Sequence, residues 1–218
     1  GLFSHKRFSA QYAYHHPLWG GRLAAGLQVD MLSESVDGGK AETNDPNDPV
    51  FSGGDMSGSQ FDASVGLFYT HRRWYAGLAM QHVSAPKISL GDKSELKVNS
   101  AYNFMAGYNI PTKYSFITLT PSVLLRYDGT DFRTDLTARI KYDGEGRTMY
   151  GGVNYAPQYS IGAFFGFVFH GLDICYGYEA NTNGMGIAAG NHEITLGYKV
   201  ELNLGKRGRN MHKSVRWL

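Results

Sequence analysis

Apolar and polar positions along this chain alternate with a period of two. Residues 192–204 read HEITLGYKVELNL, with Ile194, Leu196, Tyr198, Val200, Leu202 and Leu204 on one side and Glu193, Thr195, Gly197, Lys199, Glu201 and Asn203 on the other. Side chains of a strand point alternately to its two sides, so such a segment has one oily face and one charged face. Its length is about what a tilted strand needs to cross the hydrocarbon of a bilayer. The same alternation predicts eleven strands, over 7–16, 22–32, 60–70, 73–83, 98–110, 116–127, 131–142, 148–156, 159–170, 172–181 and 192–204. In 131–142 the split is clean: Phe132, Leu136, Ala138, Ile140 and Tyr142 face one way, Arg133, Asp135, Thr137, Arg139 and Lys141 the other.

The connections alternate between short and longer. His71-Arg72, 128–130 and Pro157-Gln158 read as tight turns; 33–59, 84–97 and 182–191 read as long loops, with 111–115 and 143–147 between them. Outer-membrane barrels have tight periplasmic turns and extended outer loops. A soluble β-sandwich or lipocalin-like barrel also alternates. Three features favour the membrane. The strands are long beside the roughly five or six residues of ordinary sheets. Their polar faces carry charges of both signs, and Tyr69, Trp74, Tyr127, Tyr142, Tyr155 and Tyr178 lie near strand ends. The expected fold is therefore all-β, a transmembrane antiparallel up-and-down β-barrel, integral to the outer membrane of a Gram-negative bacterium.

Composition agrees. Of 218 residues 42% are hydrophobic and 18% charged, with 15 Tyr, 12 Phe and 28 Gly. Low charge and abundant aromatics suit a lipid-facing sheet, whose alternation keeps its average hydropathy near that of a soluble protein. The most apolar run, IGAFFGFVF at 161–169, is far shorter than a membrane helix. A single cysteine, Cys175, forms no internal disulfide and reads as a small buried or bore-facing residue. The chain opens GLFSHKRF, without a signal peptide, which reads as a mature protein or a fragment. Residues 206–218, KRGRNMHKSVRWL, carry five Lys/Arg and no acid, leaving 16 basic against 19 acidic residues in the rest. The expected organisation is a barrel over 1–205 and a basic tail over 206–218, a tail whose charge suits lipid head groups, an acidic protein or nucleic acid, with a solvated terminus as the plainer reading.

The C-terminal third carries a resemblance. Tyr176-Gly177-Tyr178-Glu179, a polar loop, Gly190-Asn191-His192-Glu193-Ile194 and Leu196-Gly197-Tyr198 resemble the end of the PorP/SprF family, outer-membrane proteins of the type IX secretion system. Phe61-Asp62-Ala63-Ser64-Val65-Gly66-Leu67, then Trp74-Tyr75-Ala76-Gly77-Leu78-Ala79 and His82, are similar to that family's middle region. The resemblance spans 10–204. Two departures stand out: Asn191 replaces the family's usual Ser or Thr, and the family's signal peptide, "NPAFAG"-like segment and roughly three first strands have no counterpart. The resemblance thus implies about eleven strands of a barrel of fourteen. It also implies a non-enzymatic component of the type IX secretion or gliding machinery, aiding secretion or surface anchoring. Its partners would be secretion-system proteins, secreted client proteins and outer-membrane lipid, with no nucleic acid and no cofactor.

His192-Glu193 resembles the start of a metalloprotease HExxH, but that motif needs two histidines on one helix face, and Leu196 stands in the second place. Glu193 is expected to pair with a basic group in the bore, and His192 to sit at the loop rim. Gly184-Met185-Gly186 and Gly54-Asp55-Met56-Ser57-Gly58 miss the spacings of a dinucleotide fingerprint and a nucleophile elbow. Asn44, Asp45, Asn47 and Asp48 could hold Ca²⁺ but lack EF-hand spacing, so a solvated loop is expected. Thr195, Gly197, Val200 and Leu202 have the spacing of a barrel assembly signal. The expected partner-binding residues are His192, Glu193, Lys206, Arg207, Arg209, Lys213 and Arg216, with no catalytic or metal site. The alternative functions are an outer-membrane channel or hydrophobic-solute transporter and, from another class, a soluble ligand-binding barrel.

Overall fold

The computed structural model of the chain describes residues 3–36, 56–90, 94–182 and 190–200. Every regular element among them is a strand: β1 (Phe3–Leu18), β2 (Gly21–Val36), β3 (Met56–His71), β4 (Trp74–Gln81), β5 (Lys87–Leu90), β6 (Ser94–Lys97), β7 (Ala101–Tyr108), β8 (Ile110–Pro111), β9 (Ile117–Tyr127), β10 (Phe132–Gly144), β11 (Arg147–Ala156), β12 (Ser160–Phe169), β13 (Leu172–Asn181) and β14 (Asn191–Tyr198). The main sheet runs β1-β2-β3-β4-β7-β9-β10-β11-β12-β13-β14, with β8 on β9; β5 and β6 form a separate hairpin. It is an antiparallel up-and-down meander, and each of the eleven predicted segments supplies one of its strands, although β4 and β7, with 8 residues each, fall short of the predicted 73–83 and 98–110. Among the described residues β1 and β14 each have one neighbour, so no closing pair joins them.

The strands fall into two compact units, Gly1–Ile110 with Pro121–Leu136, and Pro111–Thr120 with Thr137–Leu218. In the first unit the apolar face is the exposed one. Leu27 is 51% exposed and Phe61 70%, and Val29, Met31, Val65, Leu67 and Leu78 share their side. The charged face is the covered one: Asp30 is 1% and Asp62 3% exposed, with Ser64 and Asp135 also buried. A sheet that folded in water would bury the first set and wet the second. Buried carboxylates are tolerable only when paired, and these are. Arg7 forks onto Asp30 through Nε and Nη2 at 2.9 and 3.0 Å, with Ser9 and Gln28 donating to the same carboxylate. Arg133 donates to Asp135 at 2.7 Å through Nη2.

In the second unit Met149, Val153, Tyr155, Ile161, Phe165, Ile194 and Leu196 form the exposed apolar face. The opposite face holds Tyr150, whose hydroxyl donates to Asp173 at 2.8 Å, and Ser160, which donates to Glu179. Cys175 is half-buried on that same side of β13 as Asp173.

Four features differ from the sequence expectations. First, β1, β2 and β3 have 16 residues each. The β2–β3 ladder continues to Val36↔Met56, through Ser- and Gly-rich ends that read as loop, because aligned backbones keep pairing whatever the side chains. Second, the expected loop 84–97 contains the β5–β6 hairpin, which packs on β3 and β2. Third, β14 ends at Tyr198, which pairs with Leu172, the first residue of β13; beyond it, Lys199 N–H reaches back to Gly171 O at 2.8 Å. Residues 201–204 of the predicted strand lie outside the described residues. Fourth, turn lengths do not alternate in the second unit. Residues 145–146, 157–159 and 170–171 are all tight, and the tight 157–159 shares an end with the longer 182–190 connection.

Candidate functional site

Asp62 sits on the charged face of β3. Register Val65↔Met80 brings the chain leaving β4 alongside it. His82 Nδ1 lies 2.5 Å from Asp62 Oδ2, and Ser84 Oγ donates to Oδ1 at 2.7 Å. His82 has φ +55°, a left-handed conformation that only a well-fixed non-glycine residue keeps. Its carbonyl oxygen accepts from Ser100 Oγ at 2.8 Å and from Ala85 N–H at 2.9 Å, while Val83 N–H donates to Ala63 O at 2.9 Å. These contacts clasp the two ends of the 82–100 excursion to the sheet. They do not make a catalytic triad, since Ser84 bonds the carboxylate rather than the imidazole, and no nucleophile–base contact results. Sequence reasoning gave Asp62 and His82 no role, although both belong to the family-like middle region. Only the β3–β4 register shows that they meet.

In the second unit the family-like C-terminal segments come together. Tyr178 pairs with His192 and Tyr176 with Ile194 across β13 and β14. His192 Nδ1 lies 2.7 Å from the Tyr176 hydroxyl, and its ring sits 4.9 Å from that of Tyr178. His192 therefore belongs to the exposed aromatic side of the sheet, beside the 182–190 connection. Glu193 points to the other side, toward a pocket that Glu179, Asn191 and Asn154 also line. Its carboxylate accepts from Thr195 Oγ1 at 3.4 Å. Among the described residues no lysine or arginine pairs with it, so the expected basic partner is not found there. The two adjacent residues thus serve two different faces.

Lys206, Arg207, Arg209, Lys213 and Arg216 lie outside the described residues, as do Asn44, Asp45, Asn47 and Asp48, and Gly184-Met185-Gly186. Thr195 and Gly197 of the assembly-signal spacing share the Glu193 side of β14, and Leu202 lies outside the described residues.

Comparison with known proteins adds one finding. The sequence profile of the family described as "Type IX secretion system membrane protein PorP/SprF" matches residues 1–198. No curated protein and no solved structure matches the chain.

Proposed function

This chain belongs to the PorP/SprF family of type IX secretion system membrane proteins, and on that premise we propose that it is an integral outer-membrane β-barrel that works by binding proteins rather than by catalysis. The observation that carries the membrane reading is the inverted polarity of the sheet: Ile194 and Phe61 stand 71% and 70% exposed while Asp30 and Asp62 are covered. Lipid is the solvent that rewards this arrangement. The charged face then lines the bore, and Arg7–Asp30 and Arg133–Asp135 are its internal ion pairs.

Orientation follows from the connections. In the second unit β14 runs from the 182–190 end toward the end that holds the tight turns 145–146 and 170–171. By the outer-membrane rule the tight-turn end is periplasmic. The basic residues Lys206, Arg207, Arg209, Lys213 and Arg216 come after β14 in the sequence, and on this reading their charge suits an acidic surface of the periplasmic secretion machinery. His192, at the opposite end, stands where a secreted client leaves the cell. The protein's work is to hold clients and machinery together during secretion or surface anchoring. A diffusion channel is the runner-up, and it needs an unobstructed charged face, which the excursion in the first unit crosses.

Two variants test this. Reversing the tail charges (Lys206→Glu, Arg207→Glu and Arg209→Glu together) is expected to abolish co-purification of periplasmic secretion components and surface display of clients. The barrel should remain in the outer membrane. His192→Ala is expected to weaken client display without releasing the periplasmic components. Normal secretion by the charge-reversed protein would refute the tail's role. Recovery of the wild-type chain in the detergent-free soluble fraction would refute the membrane reading.

A further inference from the structure

We propose that the 82–100 excursion, including the β5–β6 hairpin, is an internal plug seated against the charged face of β2 and β3. The proposal rests on the barrel reading above, under which that face lines the bore.

This segment runs past the ends of β4 and β7, which stop level with Ser64, but it does not rise free of the sheet: it folds over onto the Asp30 side of the longer β2 and β3, at the level of Gly58. Its neck is fixed at His82 by Asp62 and Ser100, and closed by Val98 N–H donating to Pro86 O at 3.0 Å. Beyond the neck, β5 packs on β3 and β2. Ile88 is 1% exposed, the least exposed of the large apolar side chains among the described residues.

The side of the sheet it touches follows from parity. Along the second half of β2 the residues sharing Asp30's side are Gln28, Asp30, Leu32, Glu34 and Val36. Leu32 and Val36 break the polar rule of that face, and both are buried, at 7% and 4% exposure. An apolar spot facing bore water would be costly; under a hairpin it is a seat. Gly58 lies on the matching side of β3, two positions before Gln60 and four before Asp62. A Cβ there would stand 2.8 Å from Ile88 Cγ2 and collide with the Ser89 carbonyl oxygen. The absent side chain makes room for the hairpin to lie directly on the backbone. On β5 the exposed Lys87 and Ser89 flank the covered Ile88, so this strand has one side on the apolar seat and the other open to the bore, while β6, with Glu95, Leu96 and Lys97 exposed, stands clear of the seat. Membership of a secretion family predicts none of these contacts.

Cysteine accessibility separates a plug from a surface loop. In a Cys175→Ser background, Ser89→Cys on intact cells is expected to react with a small charged maleimide. It should resist a polymer-linked maleimide too bulky to enter a bore, and Ile88→Cys should resist both until the protein is unfolded. Rapid reaction of Ser89→Cys with the bulky reagent would overturn the plug while leaving the barrel standing. Failure of wild-type protein to give a heat-modifiable, protease-resistant band from the outer membrane would overturn the barrel and the plug together. A second measurement uses the full chain in planar bilayers. Replacing 87–97 by Gly-Asn keeps the neck, since residues 86 and 98 already touch. The trimmed protein is expected to show single-channel steps at least tenfold more frequent than the intact chain. Equal conductance from the two, with both giving the heat-modifiable band, would overturn the plug.

Discussion

Asp30 draws three partners onto one carboxylate, and the two ends of its ion pair are unequally placed. Its side chain is fully covered, whereas Arg7 keeps 39% exposure. Removing the arginine strands a buried negative charge, a loss of about 3–5 kcal/mol in folded proteins. Removing the carboxylate leaves an arginine that can turn toward water, costing about 1–3 kcal/mol. Arg7→Ala should therefore destabilise more than Asp30→Ala, and the double variant less than Arg7→Ala alone. Reversible urea unfolding in lipid vesicles measures all three. Asp128 offers a pH-dependent counterpart in the β9–β10 turn. The backbone N–H groups of Asp131 and Thr130 donate to its carboxylate at 2.8 and 2.9 Å and hold its pKa below the usual value. A lowered folded pKa means that the contact contributes fully above the ordinary aspartate value of about 3.9 and is lost as pH falls through the folded one. Amide exchange at Thr130 and Asp131 should accelerate in that acid range and be insensitive to pH titration in Asp128→Ala, beyond the intrinsic base dependence.

At the scale of elements, alternation is informative where it is long and silent where it is short. β10 shows this well: its charged and apolar residues separate in the sequence as they do in the sheet. The hairpin β5–β6 was not legible because Lys-Ile-Ser-Leu and Ser-Glu-Leu-Lys are too short to carry a period, and their partner is a seat more than fifty residues upstream, at Leu32 and Val36. Turn placement was the other blind spot. The sequence suggests a turn at His71-Arg72, but the pairing His71↔Trp74 puts it one residue later. Each one-residue move of a hairpin turn shifts cross-strand partners by two positions while leaving the faces unchanged. The faces of β3 and β4 were therefore readable, and the Asp62–His82 contact was not. The same holds for His192, whose side of β14 alternation assigns but whose bond to Tyr176 needs register. Tight turns carry their own chemistry. Trp19 and Gly20 both have positive φ, +48° and +76°, between the paired Leu18 and Gly21, as the favoured two-residue hairpin turn requires. Gly20→Val forces a branched side chain into that region and should cost about 1–2 kcal/mol. Slower folding into vesicles and a lower urea midpoint would register it.

At the scale of the whole molecule, the surrounding solvent decides what an exposed leucine or valine means. Val65 stands mid-strand on β3 at 45% exposure, between Leu27 and Met80 on neighbouring strands. If that face met water, arginine there would be nearly neutral, within about 0.5 kcal/mol for an ordinary surface change. Against lipid the same substitution costs about 2–4 kcal/mol near the bilayer midplane and little near the interfaces. Val65→Arg is thus expected to lower the folding free energy in vesicles by the larger amount. His71→Arg, on the same side of β3 but next to the tight 72–73 turn, should change it little. The contrast depends on depth, which no soluble sheet possesses. A small and equal effect at both positions would mean that water covers the apolar face, and the ion pairs on the opposite face would then need another explanation than a bore.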